Sequence, residues 1–70
     1  MKVEIFLTPS TSAADIANTF PKRDTDRLVD ADEKNGVVTL EVEGNAIPDP
    51  QIRWIEQQKG QGKIDRVETV

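Results

Sequence analysis

Apolar and polar residues alternate in two segments of the chain, a pattern typical of β-strands that turn one face toward a core. The first segment spans residues 2–7 and ends before Pro9, because proline cannot donate a hydrogen bond to a neighbouring strand. The second segment spans residues 37–43. The positions predicted to face the core are Val3, Ile5, Leu7, Val38, Leu40 and Val42.

The dipeptide Asn35-Gly36 precedes the second segment and predicts a β-hairpin, since a two-residue type I′ turn needs positive φ at both central residues. With this turn, Lys34 pairs with Val37, and the register of the whole hairpin follows. The predicted apolar face then holds Val29, Ala31, Leu40 and Val42, and the predicted polar face holds Asp30, Asp32, Thr39 and Glu41. Asp30 and Glu41 come directly opposite each other.

Two segments have the three-to-four-residue spacing of amphipathic helices. The first begins after Ser10, Thr11 or Ser12, any of which can serve as its N-cap, and it stops near Phe20 because Pro21 comes next. Its predicted apolar stripe is Ala13, Ile16, Ala17 and Phe20. The second covers residues 50–59, with Asp49 as N-cap, Pro50 at the first helical position and Gly60 just after the end. Its predicted stripe is Ile52, Ile55 and Lys59, with Trp54 beside it as a core residue or a binding anchor.

The last eight residues favour a final strand that either contains a bulge or pairs over only part of its length, because Ile64, Val67 and Val70 do not alternate. The element order is therefore β-α-β-β-α-β over residues 1–70 as one domain. That order predicts an α+β, ferredoxin-like fold. The right-handed crossover rule places both helices on one face of a four-stranded antiparallel sheet in the order 4-1-3-2.

Composition excludes several classes of function. The 70 residues include no cysteine, histidine or tyrosine and carry a net charge of -4. Disulfides and Cys/His metal sites are thus excluded, and so are a histidine base and a cysteine nucleophile. An acidic chain lacks the basic surface typical of nucleic-acid binders. We expect a protein that is not an enzyme, holds no cofactor or metal and does not bind nucleic acid directly.

The chain has no segment of about 18 consecutive apolar residues, and its first residues do not resemble a signal peptide. We therefore expect a cytoplasmic protein that does not enter a membrane.

Phe6 is the most informative single residue, because the alternation of the first strand directs it away from the core. On a sheet with helices on one side only, it lies on the uncovered side. There it is either a lone exposed ring or part of an interface, which Leu28 or Ile64 could join. The candidate interaction residues on this side are Phe6, Val37, Thr39 and Glu41.

Acidic residues are concentrated around the predicted hairpin. Asp30, Asp32 and Glu41 have the spacing of three calcium-loop ligands, but Lys34 and a displaced glycine break that motif. The alternatives are a solvated hairpin and a surface for a basic partner. The members of this acidic cluster are Asp24, Asp26, Asp30, Asp32 and Glu33.

Several segments together resemble the NIL domain, a small ferredoxin-like, ACT-like module. They are KVEIFLTP at the start, GVVTLEVEG from Gly36 to Gly44, IRWIEQQKG from Ile52 to Gly60, and the closing KIDRVE. This resemblance implies a regulatory domain that senses an amino acid.

Three functions follow as expectations. The first is a non-catalytic interaction or regulatory module that acts through its uncovered sheet face and binds a protein partner or a second copy of itself. The second is an acidic inhibitor of a basic partner, of the nucleic-acid-mimic type. The third is an amino-acid sensor of the NIL or ACT kind.

Overall fold

The computed structural model describes all 70 residues as one antiparallel sheet of four strands and two helices. Both the predicted α+β class and the predicted order of elements are confirmed. The elements are β1 (Lys2–Leu7), α1 (Ala13–Thr19), β2 (Arg27–Asp32), β3 (Val37–Glu41), α2 (Asp49–Gly60) and β4 (Ile64–Thr69). The strands lie in the order β2-β3-β1-β4, which is 4-1-3-2 read from the opposite edge of the sheet.

The core lies between one face of the sheet and the two helices, and it forms a single apolar cluster. Strands β1 and β3 supply its centre, where Val3, Ile5, Val38 and Leu40 have no exposed surface. Because the same cluster includes residues of both helices, α1 and α2 cover the same face and leave the other uncovered. The remaining buried apolar residues are Ala13, Ile16, Ala17, Phe20, Val42, Ile55 and Ile64.

Of the three predicted N-caps of helix α1, Ser12 is the one that the structure shows. The Ser12 hydroxyl accepts a hydrogen bond from the Asp15 N–H at 3.4 Å. After the helix, the Phe20 ring meets Trp54 of α2 edge to face, with ring centroids 5.4 Å apart. Trp54 is partly buried against the core, so this contact joins the two helices.

The predicted hairpin exists, but its predicted register is wrong. Asp32, not Lys34, lies opposite Val37, so the loop has four residues, 33–36. Gly36 has φ +67°, whereas no residue other than glycine has a positive φ. A type I′ turn at Asn35-Gly36 is therefore excluded.

The Asp32 side chain explains the longer loop. Its carboxylate accepts hydrogen bonds from the backbone N–H of Asn35 at 3.1 Å and from the Asn35 side-chain amide at 2.7 Å. The Gly36 N–H donates to the Asp32 carbonyl at 2.8 Å. An aspartate that binds the backbone ahead of it sets its own turn, and here it prevails over the Asn-Gly preference.

The changed register moves the residues of β2. A bulge at Val29 interrupts the pairing with β3, and Leu28 lies opposite Leu40. Val29, predicted to face the core, is 51% exposed at the sheet edge. Asp30 lies opposite Thr39, and Arg27 faces Glu41, so the predicted like-charge pair of Asp30 and Glu41 does not form.

Helix α2 also departs from its predicted phase and ends. Pro48 is the N-cap and Asp49 is already helical, while Gly60 lies inside the helix and Gly62, with φ +76°, follows its end. Gln51 is 1% exposed, whereas Ile52, predicted for the core stripe, is 41% exposed. Ile55 keeps its predicted place in the core, whereas Lys59, the third position of the predicted stripe, is exposed.

Strand β4 contains the predicted bulge. Leu7 pairs with Ile64 and Phe6 pairs with Arg66, which leaves Asp65 as the extra residue. Ile64 faces the core and is 3% exposed, so the expectation that it could lie beside Phe6 is wrong. Neither helix is long and apolar enough to cross a membrane.

Candidate interaction surface

The side of the sheet that no helix covers is defined by the strand register, because directly paired residues share a face. We call this side the open face. Its residues are Arg27, Asp30 and Asp32 on β2, Val37, Thr39 and Glu41 on β3, Lys2, Glu4 and Phe6 on β1, and Arg66 and Glu68 on β4. All four predicted interaction residues lie on it.

These residues form three rows across the strands. The first row is Asp32, Val37, Phe6 and Arg66, the middle row is Asp30, Thr39, Glu4 and Glu68, and the third row is Arg27, Glu41 and Lys2. The first row lies beside the hairpin loop.

Phe6 and Val37 are the apolar part of the open face. They are direct partners in the pairing of β1 with β3, and both are partly buried. The guanidinium carbon of Arg66 lies 4.0 Å from the centroid of the Phe6 ring, so a cation lies on the ring surface that would otherwise contact water. Leu28 pairs with the core residue Leu40 and does not join them, contrary to expectation.

Two carboxylates hold Arg66 in place. Its Nε donates to Glu68 Oε2 at 2.8 Å, and its Nη1 lies 3.5 Å from Asp65 Oδ2. The hydrogen bond to Glu68 is the main reason that the pKa of Arg66 is raised above its ordinary value, and the charge of Asp65 adds to it. Arg66 therefore remains charged over Phe6. The sequence-based prediction did not include Arg66 among the interaction residues.

The middle row is the acidic part of the open face. Thr39 is 8% exposed although no helix covers it, and it lies between Asp30 and Glu4. Glu4 in turn lies opposite Glu68 on β4. Like charges directly opposite each other destabilise a sheet slightly. This pair, which the sequence alone did not reveal, makes the middle of the face attractive to cations.

The structure does not bring the acidic cluster together. Asp24 and Asp26 precede β2, whereas Asp32 ends it, and a six-residue strand spans about 17 Å. Asp30 lies on the open face. Glu33 points to the helix layer, where its carboxylate accepts hydrogen bonds from the Ala13 N–H and the Ser12 hydroxyl. The five carboxylates therefore do not form one surface.

Asp26 is a buried structural residue instead of a surface acid. Its carboxylate accepts hydrogen bonds from the side chain of Arg23 at 3.0 and 3.1 Å, from the Glu43 N–H at 3.0 Å and from the Gln51 amide at 2.7 Å. The pKa of Asp26 is held far below its usual range, first by the bonds from Arg23 and then by the donors of Glu43 and Gln51, which outweigh the effect of burial.

The same network explains the buried glutamine of α2. Gln51 Nε2 donates to Asp26 and also to the Pro21 carbonyl at 3.1 Å. Gln51 thus occupies a core position because its buried partner, Asp26, is polar. A prediction based on the spacing of apolar residues cannot identify such a position. Together these bonds connect the segment before β2, the end of β3 and the first turn of α2.

The carboxylates of Asp32 and Glu33, near the hairpin, also accept hydrogen bonds that stabilise the fold. The pKa of Glu33 is lowered, mainly by the Ala13 N–H and then by the Ser12 hydroxyl. The pKa of Asp32 is lowered mainly by the side-chain amide of Asn35. No three acidic residues lie close enough together to hold a metal ion. The predicted spacing of Asp30, Asp32 and Glu41 therefore does not correspond to a calcium loop.

A groove of about 460 Å³ lies between α1 and the turn that joins α2 to β4. It is polar, and its charged lining residues are Asp15 and Lys63. The remaining lining is mainly hydroxyl and amide side chains, namely Ser10, Thr11, Ser12, Thr19, Gln58 and Gln61.

Comparisons of the chain with protein-family models, with curated proteins and with solved structures found no match.

Proposed function

We propose that this chain is a small, non-catalytic interaction module that acts through its open face. The observation that carries the proposal is the first row, where Phe6 and Val37 lie side by side on a sheet surface with no helix over it. A protein that stacks against this face would cover the ring together with its aliphatic neighbour.

The two edges of the sheet are less suited to binding than its face. Strand β2 is interrupted by the bulge at Val29 and strand β4 by the bulge at Asp65. Bulges and charged residues on edge strands hinder the pairing of a further strand. This leaves the open face as the favoured contact surface.

A non-catalytic role agrees with the direction in which the carboxyl pKa values are shifted. A general acid near neutral pH needs a raised carboxyl pKa. The carboxyl groups with shifted pKa values, Asp26, Asp32 and Glu33, are all shifted downward by hydrogen bonds that serve the fold. We also propose that the fold is of the ferredoxin-like type, which the β-α-β-β-α-β order supports.

The matched variants Phe6→Glu and Ile52→Glu test this function. Each places a carboxylate at a partly exposed apolar position, the first on the open face and the second on α2. The chain and both variants are used to capture partners, and each partner is identified and titrated in purified form. We expect Phe6→Glu to abolish binding and Ile52→Glu to retain it, with circular dichroism showing that both fold. The reverse result would move the contact surface to the helix layer.

A second candidate is the sensing of a free amino acid, as the NIL resemblance implies. The polar groove supports it, because Asp15 and Lys63 supply one charge of each sign to its lining. A zwitterion offers the two complementary charges. Thermal denaturation of the chain with a panel of free amino acids tests this function. An amino acid that binds the folded chain should raise its melting temperature. Unchanged melting at about 10 mM of every amino acid, roughly tenfold above a millimolar dissociation constant, would exclude this function.

A further inference from the structure

The distribution of charge on the open face indicates what covers it. We infer that the occupant is a second copy of this chain, stacked face to face about a two-fold axis that runs parallel to the strands between β1 and β3. This inference rests on the proposed function of the open face and adds the identity and orientation of the partner.

The choice of axis follows from the three rows. An axis parallel to the strands exchanges β1 with β3 and β2 with β4, so each row meets the same row of the partner. A two-fold axis between the two sheets but perpendicular to the strands would place each of Asp30, Glu4 and Glu68 against the same residue of the second copy. That arrangement opposes like charges at three positions and is disfavoured.

The parallel axis produces complementary contacts at both ends of the face. In the first row, Phe6 meets Val37 of the second copy, and the two-fold symmetry doubles this contact into an apolar centre of four side chains. In the same row Arg66, which lies on the Phe6 ring in the single chain, turns away from that ring and comes over Asp32 of the second copy. In the third row Lys2 comes over Glu41 of the second copy. Long arginine and lysine side chains can bridge the offset of about 30° between aligned sheets.

The middle row limits the strength of this dimer. Thr39 meets Glu4 of the second copy without penalty, but Asp30 meets Glu68, a like-charge pair. The face is also small. Four strands of five or six residues cover a footprint of about 300–400 Å², against about 800 Å² per partner in a standard interface. We therefore expect a weak dimer, with a dissociation constant of roughly 0.1–1 mM.

The pair of Lys2 and Glu41 provides a test by charge reversal. Both residues are solvent-accessible, and they also lie opposite each other within one chain. Lys2→Glu creates a chain with two acids at this place, and Glu41→Lys creates a chain with two bases. Each variant alone opposes like charges across the two-fold axis. An equal mixture restores attraction at both contacts.

Sedimentation velocity at concentrations up to about 2 mM measures the outcome. We expect the natural chain to dimerise, each variant alone to dimerise at least tenfold more weakly, and the mixture to recover a dimer. Arg53→Glu and Asp24→Lys make charge changes of the same size outside the open face and should dimerise like the natural chain.

Other results overturn the inference in distinguishable ways. A natural chain that stays monomeric at about 2 mM excludes the second copy as occupant. If a different protein is then bound in a Phe6-dependent manner, the open-face function stands and only its partner changes. Variants that dimerise as the natural chain does, or a mixture that fails to recover the dimer, exclude this orientation. Loss of both dimerisation and Phe6-dependent binding removes the inference and the proposed function together.

Discussion

The guanidinium of Arg66 lies 4.0 Å from the centroid of the Phe6 ring, on the sheet face that no helix covers. One partner of this contact is the exposed aromatic residue of a central strand, and the other is a charge that Glu68 and Asp65 hold in position. The open face is therefore a small apolar centre under a fixed cation, with carboxylates around it. Such a surface suits a partner with alternating charges better than a purely basic or purely apolar one.

Asp26 should be the most sensitive charged residue for stability. Asp26→Ala removes the acceptor of the Arg23 side chain, the Glu43 N–H and the Gln51 amide, of which the last is buried. Loss of a buried, multiply bonded charge should lower the free energy of unfolding by about 2–4 kcal/mol. Because a domain of this size is stable by only about 3–5 kcal/mol, the variant should keep only a small part of that stability and unfold at a much lower urea concentration.

Urea denaturation followed by Trp54 fluorescence measures this difference. The control is Asp24→Ala, which removes an exposed carboxylate two residues away and should change the free energy of unfolding by less than about 0.5 kcal/mol. Equal stability of the two variants would show that the Asp26 network does not stabilise the fold.

Asp26 also predicts how stability depends on pH. Its pKa is lower in the folded chain than its ordinary value of about 3.9. A group with a lowered pKa contributes stability that is fully present above the unfolded pKa and is lost as the pH falls toward the folded one. The stability difference between the natural chain and Asp26→Asn should therefore be constant above about pH 5 and narrow below it.

Thermal denaturation from about pH 7 to pH 2, in sucrose to keep the variant folded, measures this narrowing. A difference that stays the same down to pH 2 would mean that the pKa of Asp26 is the same in the folded and the unfolded chain.

A matched pair of glycines tests the observed hairpin loop. Gly36 has φ +67°, so Gly36→Ala forces a Cβ into a left-handed conformation and should cost about 1 kcal/mol. Gly60 is helical with open space around it, so Gly60→Ala should raise stability by up to about 1 kcal/mol. The urea midpoints of the two variants should shift in opposite directions. A midpoint of Gly36→Ala that does not fall would contradict the conformation of the loop.

The sequence predicts the elements and their faces well because apolar alternation depends only on which side of a strand is buried. Val3, Ile5, Val38 and Leu40 take their predicted core positions, and Phe6 takes its predicted place on the other side. The β4 bulge is likewise visible in the spacing of its apolar residues.

Two of the errors come from side chains that bind other residues. Asp32 sets a four-residue loop through Asn35, which changes the hairpin register by two positions. Gln51 takes a core position because Asp26 is buried beside it. Hydrophobic periodicity does not reveal either set of hydrogen bonds. The acidic residues are therefore close together in the sequence, although they lie in different parts of the fold.

Glu33 should be needed for the start of α1. Glu33→Gln weakens the acceptor of the Ala13 N–H and the Ser12 hydroxyl, so the first turn of α1 should open more often. Hydrogen exchange at Ala13 should become faster, while Glu56→Gln on α2 should leave it unchanged. Equal exchange at Ala13 in both variants would show that Glu33 does not cap the helix.

The most direct test of the open face is a dilution series followed by two-dimensional amide NMR. As the concentration rises to about 1 mM, the amide signals of Phe6, Val37 and Thr39 should shift progressively, while those of Ile52 and Trp54 stay fixed. Shifts confined to Ile52 and Trp54, or no shifts at any of these residues, would contradict the account that the chain meets a second copy through its open face.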